Sequence, residues 1–145
     1  MIMEREAGDD YKGHCPFHQI CLEGMASGPA IEERWGKKAI ELSDKDEVWD
    51  LEAAYLAQAM VNTICILSPK RIILGGGVMH QEQLFPMIRE RVRENVNGYI
   101  RTRELEDLSG YIVPASLHDD QGIMGAVKLA MDAEARGEGT KQRKG

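Results

Sequence analysis

Residues 14–28, HCPFHQICLEGMASG, set how the first part of this chain folds, because three metal-binding side chains lie there within seven residues. Cys15, His18 and Cys21 are spaced three apart, and Glu23 follows the last of them by two residues. Thiolate sulfur and imidazole nitrogen together select zinc, and short spacings let one loop bring its side chains onto a tetrahedral ion. The pattern predicts a zinc-binding knuckle with a carboxylate attached.

The predicted knuckle is one ligand short of a closed structural zinc site, which needs four. His14 is the nearest candidate, but adjacent residues rarely point at the same ion, so it would be a poor fourth ligand. The fourth ligand therefore lies elsewhere or is missing from this chain. The alternative interpretation is a pair of buried, reduced cysteines beside a surface histidine.

The composition limits the class of protein. The chain has 145 residues, room for one domain, and its 43% hydrophobic content is ordinary for a globular one. A net charge of −6 and a pI near 5.2 argue against general nucleic-acid binding, which needs a basic surface to replace counterions. Three cysteines, two of them in the knuckle, fit a reducing cytoplasm rather than a disulfide framework. Because there is no bilayer-length apolar run and no signal-peptide pattern, we expect a cytoplasmic protein.

Helical patterns occupy the middle of the sequence. Ser27 and Gly28 interrupt the apolar run after the knuckle, and Pro29 suits the first turn of a second helix. The alanine-rich residues 48–67 predict a long, largely buried helix, in which we expect Asn62 and Cys65 to be core residues.

Two strand patterns follow the long helix. RIILGGGV predicts a short buried strand that runs into three glycines, and a helix should begin at about residue 80 or 86 and end at residue 96. YIVPASL predicts a second strand, after which Asp119 and Asp120 precede another helix. Paired aspartates can bind Mg²⁺ or act as a base, but helix capping by Asp120 is the stronger expectation. This alternation predicts an α/β fold.

Three blocks of sequence, in this order, resemble a known family. They are CPFHQICLEGMASGPAIE, NTICILSPKRIILGGGVM and HDDQGIMGAVKLA, and together they resemble the C-terminal half of a bacterial fructokinase of the ROK family (repressors, open reading frames and sugar kinases). The resemblance implies a ribonuclease H-like, actin-like ATPase fold, of which residues 1–133 form the C-terminal subdomain, incomplete at its N-terminus. Residues 134–145 are then a polar tail.

The resemblance also implies ligands. Glu23 would bind the hexose, although on the residues alone an acid favoured by a helix start is the better interpretation. A bare glycine triplet is a weak signal, but in the family the loop over residues 72–81 lies against the adenosine side of ATP, and the turn at Pro29 approaches the nucleotide. The implied nucleotide-binding residues of this loop are Gly75, Gly76, Gly77, Val78, Met79, His80 and Gln81.

The family places other parts of its site upstream of the matching region. A histidine from a Gly-His pair supplies the remaining zinc ligand, and the phosphate loop and catalytic aspartate, in an Asn-Asp pair, lie in the N-terminal half. This sequence contains no Asn-Asp pair. We therefore expect no catalytic residue in this chain and no kinase activity from it alone. Mg²⁺ with ATP and a hexose such as fructose are the implied ligands, the missing N-terminal half is the implied partner, and a homodimer is possible.

Three functions fit the sequence. The first is part of an ATP-dependent fructokinase, as a fragment or a truncated gene product. The second is a non-catalytic zinc-binding module that associates with another chain. The third, a fragment of a ROK transcriptional repressor, is weakest, because the repressors usually carry a cysteine-richer knuckle.

Overall fold

The computed structural model describes residues 1–117 and 120–137. His118, Asp119 and residues 138–145 lie outside it, so the proposed roles of the first Asp and of the tail's last residues are outside the described part. The described residues divide into two units, the first spanning Met1–Pro114 and the second beginning at Ala115. The elements are α1 (Leu22–Met25), α2 (Gly28–Trp35), a 3₁₀ turn (Ala39–Leu42), α3 (Asp46–Leu67), β1 (Ile72–Leu74), a second 3₁₀ turn (Gly77–His80), α4 (Leu84–Val96), α5 (Arg103–Glu106), α6 (Leu108–Tyr111), β2 (Ile112–Pro114) and α7 (Gln121–Ala135).

The first unit is built on α3, the 22-residue helix that the alanine-rich pattern predicted. Trp49 and Tyr55 are almost completely buried on it, and the Trp49 indole nitrogen donates to the Leu42 carbonyl at 2.8 Å. Helix α4 packs along α3 through its apolar side, with Ile88 and Val92 fully buried. Burial of these large side chains, each contributing about 1.5–3 kcal/mol, holds the two helices together.

The sheet consists of two parallel strands. Ile72 pairs with Ile112, and Leu74 pairs with Pro114. Helix α4 lies on the connection between β1 and β2, which is the arrangement that parallel strands require. Both strands were predicted, and they give the mixed helix and strand architecture expected from the sequence. The expectation that the first strand is buried was wrong, because successive side chains point to opposite faces of a strand: Ile72 is buried, whereas Ile73 is 64% exposed.

Several local predictions were wrong. Asn62 and Cys65 are exposed because they lie on the side of α3 that faces away from the core, whereas Ile64 in the same turns is buried. Leu67 at the end of the helix is exposed as well. The helix after the glycines begins at Leu84 rather than at residue 80 or 86. The charged stretch after residue 101 forms the two short helices α5 and α6.

Ser27 is the N-cap of α2. Its hydroxyl oxygen accepts a hydrogen bond from the Ala30 amide at 3.3 Å, and a proline stands in the first turn. The helix ends at Gly36, whose φ of +68° is the left-handed conformation that glycine adopts without strain. The length and direction of α2 are therefore set by its own sequence.

The second unit contains α7. Asp120 occupies its N-cap position, but the carboxylate makes no capping hydrogen bond. None of the side chains on α7 is buried, including Met124 and Val127. Within the second unit, α7 therefore leaves its apolar side chains exposed or only partly buried.

Candidate metal centre and the surrounding sites

The knuckle is a tight loop tied to the N-terminal segment. Cys15 and Gln19 form an isolated antiparallel β-bridge within the loop, and Ile2 and Cys21 form another at its end. The Met3 backbone amide donates a hydrogen bond to the Ile20 carbonyl at 2.9 Å, which holds the loop against the first residues of the chain. The loop is thus fixed at both ends before any metal binds.

The three predicted ligands converge. The Sγ atoms of Cys15 and Cys21 and a ring nitrogen of His18 all lie within 4.8 Å of one another, and Cys15 Sγ lies 3.9 Å from His18 Nδ1. A tetrahedral zinc ion with ordinary bond lengths needs a sulfur to nitrogen separation of roughly 3.6 Å. The donor set and its spacing therefore fit a zinc ion after a small contraction.

The electrostatics of the loop favour the ligand form of its exposed thiol. Hydrogen bonds from the backbone amides of His18 and Phe17, with smaller contributions from the side chains of Cys21 and His18, lower the pKa of Cys15 from 9.0 to about 7. The thiolate is the form that binds metal. The cluster can therefore present a thiolate at neutral pH.

Two glycines make the loop possible. A Cβ atom on Gly24 would lie 1.7 Å from the Gln19 carbonyl oxygen, and one on Gly13, where φ is +95°, would lie 2.2 Å from the same atom. Gln19 itself has a φ of +51°, a left-handed conformation that is strained for a residue with a side chain. The Gln19 carbonyl is held between two positions that only glycine can occupy.

His14 lies outside the ligand cluster. Its Nδ1 atom is 2.7 Å from Glu33 Oε2, which also accepts a hydrogen bond from the Tyr11 hydroxyl at 2.9 Å. The hydrogen bond from His14, and then that from Tyr11, lowers the pKa of Glu33, while burial and the bond to Glu33 raise the pKa of Tyr11 to about 12. This side chain pairs the start of the knuckle with α2, in agreement with its rejection as a fourth ligand.

Glu23 follows directly from the metal cluster. Cys21 is the N-cap of α1, where its sulfur accepts a hydrogen bond from the Gly24 amide at 3.4 Å, and Glu23 occupies the first turn of that helix. The Glu23 side chain is exposed. Its carboxylate is therefore free to accept hydrogen bonds from a ligand, and its position depends on the knuckle.

The glycine loop leaves the carboxyl end of β1. Gly75, Gly76 and Gly77 are exposed, and Gly76 has a φ of +101°, which requires glycine. Val78 and Met79 are half-buried, because they pack against the core from the 3₁₀ turn. His80 and Gln81 end this turn, and Pro29 is exposed at the start of α2. The loop offers open main chain at the end of a parallel strand, where ligands of α/β proteins usually bind.

Asp9, Arg34 and Tyr55 form a buried polar network that no local sequence pattern indicated. Arg34 Nη2 lies 3.1 Å from Asp9 Oδ2, and both side chains are more than 90% buried. The Tyr55 hydroxyl donates to the same oxygen at 2.5 Å, and the Arg34 guanidinium lies 4.5 Å from the centre of the Tyr11 ring. Arg34 Nη1 also donates to the Met25 carbonyl at 3.2 Å, whereas its buried Nε atom has no hydrogen-bond partner among the described residues. A buried ion pair depends on such hydrogen bonds to offset its desolvation, so this pair is satisfied only in part.

Glu52 is the second buried acid. It lies on α3 with 1% of its surface exposed, and its Oε1 atom has no hydrogen-bond partner among the described residues. Burial raises the pKa of Glu52 from 4.5 to about 8, and the positive charge of Arg34 opposes this only in part. The carboxyl is therefore protonated at neutral pH.

The chain was compared with known sequences. The ROK family matches residues 2–133. A protein from Bacillus subtilis assigned as a fructokinase is 54% identical over 100 residues, which are 69% of this chain and 33% of that protein. The fructokinase of Pediococcus pentosaceus is 50% identical over 99 residues, 68% of this chain and 34% of the relative. The chain thus spans about a third of the length of these relatives.

A solved structure shows the same architecture. A crystal structure from Cytophaga hutchinsonii, described as a sugar kinase, superposes with a TM-score of 0.63 at 20% identity. The match covers 90% of this chain and 50% of that one. At this identity the likeness shows the fold alone. Within the described ranges, no helix has the length and apolar character needed to cross a membrane.

Proposed function

Because the chain belongs to the ROK family, we propose that it forms part of an ATP-dependent fructokinase that phosphorylates the 6-hydroxyl of D-fructose or a related hexose. The observation that carries this proposal is the family match over residues 2–133, with fructokinase relatives at 50% identity or above. In this proposal the chain is the C-terminal subdomain of a ribonuclease H-like, actin-like ATPase fold.

The sugar site is proposed at Glu23. An ionised carboxylate accepts two hydrogen bonds at once, which suits adjacent hydroxyl groups, and such charge-assisted bonds are the stronger kind. Glu23 is exposed and stands two residues after Cys21, so a zinc ion held by the cluster would fix the entry to α1. The structural role of the metal would then be to hold the sugar-binding carboxylate in place.

The nucleotide site is proposed at the loop over residues 72–81, with Pro29 close to the nucleotide. Backbone that carries no side chain lets a ligand lie directly against the main chain, and the exposed glycines provide it. Mg²⁺ would arrive with ATP and neutralise the charge on the phosphates. Phosphoryl transfer also needs a general base for the sugar hydroxyl and donors around the γ-phosphate. We propose that these groups come from a separate N-terminal part, so that this chain does not turn over substrate alone.

The sugar site can be tested in a chimera in which this chain replaces the matching third of the Pediococcus pentosaceus fructokinase. Glu23→Gln removes the charge and keeps the shape, and a hydrogen bond to a charged group contributes about 1.5–3 kcal/mol. Fructose binding should therefore weaken roughly 10- to 150-fold, while ATP binding changes little. Glu32→Gln, at an exposed position on α2, is the matched control. Equal loss of sugar and ATP binding in the Glu23 variant would refute its role.

A second candidate is a non-catalytic zinc-binding module. The observation in its favour is that the three ligands of the cluster all lie within residues 15–21. Such a module would bind its partner chain without restoring turnover. Activity of the assembled protein therefore separates the two functions.

A further inference from the structure

We propose that Cys15 and Cys21 form an intramolecular disulfide when the cluster holds no metal, with a small disulfide such as oxidised glutathione as the oxidant. The knuckle then has two mutually exclusive covalent states, a dithiol that can bind metal and a disulfide that cannot. This inference does not depend on the proposed kinase function.

The two sulfur atoms are already close. They lie within 4.8 Å of one another, and a disulfide bond is about 2.05 Å long, so closure requires them to approach by at most about 2.8 Å. Both side chains also converge on one residue. The Gly24 amide donates to Cys21 Sγ at 3.4 Å, and a Cβ built on Gly24 would lie 3.0 Å from Cys15 Cβ.

The two cysteines differ in the exposure of the residue as a whole. Cys15 is partly exposed and is followed by exposed residues through Gln19, whereas Cys21 is buried. Cys65, the third cysteine, is exposed on α3 and is not part of the ligand cluster. The structure therefore selects one pair of the three cysteines.

The reaction is an ordinary thiol–disulfide exchange. Cys15 gives its proton to water, and its sulfur attacks one sulfur of oxidised glutathione, which breaks the glutathione S–S bond and releases one glutathione thiolate. The deprotonated Cys21 sulfur then attacks Cys15 Sγ and displaces the second glutathione. The two cysteines lose two electrons and two protons in total, and one oxidised glutathione becomes two reduced ones.

The disulfide would reach the proposed sugar site through α1. Cys21 Sγ is the N-cap acceptor of that helix, and the bond to Cys15 would redirect it. Glu23 lies in the same first turn. Oxidation would therefore alter the start of α1 as well as remove both thiolate ligands.

The test uses the whole chain, first freed of metal by a chelator and then treated with micromolar oxidised glutathione. Trypsin cuts after Lys12 and Arg34, so both cysteines fall in one peptide, which should lose two hydrogen masses. Chymotrypsin cuts after Phe17, and the two pieces should stay linked until reduced. Because a short connection gives an effective concentration in the millimolar range, the internal disulfide should exceed the glutathione adduct at least roughly tenfold.

Two variants and a metal control define the outcome. Cys65→Ser should react as the wild type does, and Cys21→Ser should instead carry one glutathione on Cys15. Zinc added before the oxidant should suppress the mass loss, since bound thiolates do not exchange freely. A peptide carrying two separate glutathiones, or one that stays reduced while Cys65 links two chains, would overturn the proposal. The wild-type peptide decides this even if the Cys21 variant does not fold.

Discussion

Replacing Glu52 by Gln should remove a large part of the pH dependence of the first unit's stability. The carboxyl is buried on α3, and its native pKa is about 8 against 4.5 for the free side chain. Since the native pKa is raised, the native state holds the proton more tightly than the unfolded state. Glu52 therefore contributes most to stability below about pH 4.5, and this contribution is lost as the pH rises through about 8.

The size of the effect follows from the shift. Each pKa unit is equivalent to 1.36 kcal/mol, so the 3.5 units between 4.5 and 8 amount to about 5 kcal/mol over the full range. Between pH 5 and pH 8 the loss should be about 3–4 kcal/mol in the free energy of unfolding. The amide of Glu52→Gln does not titrate, so any cost of placing it there is the same at each pH.

The assay is urea unfolding at pH 5, 6, 7 and 8 under reducing conditions, followed by the fluorescence of buried Trp49. The stability of the Glu52→Gln variant relative to the wild type should rise by about 3–4 kcal/mol from pH 5 to pH 8. Glu32→Gln, an exposed acid on α2, should run parallel to the wild type. If the Glu52 variant also runs parallel, the carboxyl is ionised in the native state and the reasoning fails.

Three further predictions concern the knuckle and the buried ion pair. Gly24→Ala should unfold the loop or lower the free energy of unfolding by several kcal/mol, roughly the upper range for single substitutions, because the added methyl group would lie 1.7 Å from the Gln19 carbonyl oxygen. Gly28→Ala, with no atom within 4 Å of the added methyl group, should be tolerated, and calorimetry would compare the stability of the two variants. Asp9→Asn should lower the free energy of unfolding measured in urea by about 3–5 kcal/mol, because it leaves the Arg34 charge buried without a counter-charge. Asp10→Asn, at the exposed neighbouring position, should change it little, and equal effects of the two substitutions would contradict a buried ion pair. Metal analysis after dialysis against zinc should show about one equivalent of zinc per chain or less, and this zinc should be weakly held, because a closed site has four ligands and this chain supplies three. An equally folded chain that binds no zinc would contradict the predicted zinc-binding knuckle.

The local features of this fold could be predicted from sequence, because they depend on neighbouring residues. The Cys15, His18 and Cys21 spacing predicted a cluster that the structure assembles. The proline in the first turn of α2 and the long helix α3 likewise follow from nearby residues. The family was also identified correctly. The roles of Glu23 and the glycine loop stay predictions.

The features that were missed depend on contacts between distant residues. Asp9 contacts Arg34, which is 25 positions away in the sequence, and Tyr55, which is 46 positions away, and no local sequence pattern predicts such contacts. As an acidic residue, Glu52 would be expected at the surface, but it lies on the buried side of α3, a helix that is apolar around most of its circumference. Cys65 was placed in the core because the apolar pattern continues to the end of α3, although that end is exposed.

Turnover with fructose tests whether this chain supplies part of a fructokinase. This chain should be mixed with the part of the Pediococcus pentosaceus fructokinase that it does not match, and ADP release from ATP should be followed with and without fructose. The account predicts fructose-dependent turnover from the mixture, none from either part alone, and its loss with Glu23→Gln but not with Glu32→Gln. Association of the two parts with no turnover at saturating ATP and fructose would contradict the kinase assignment and favour the zinc-binding module.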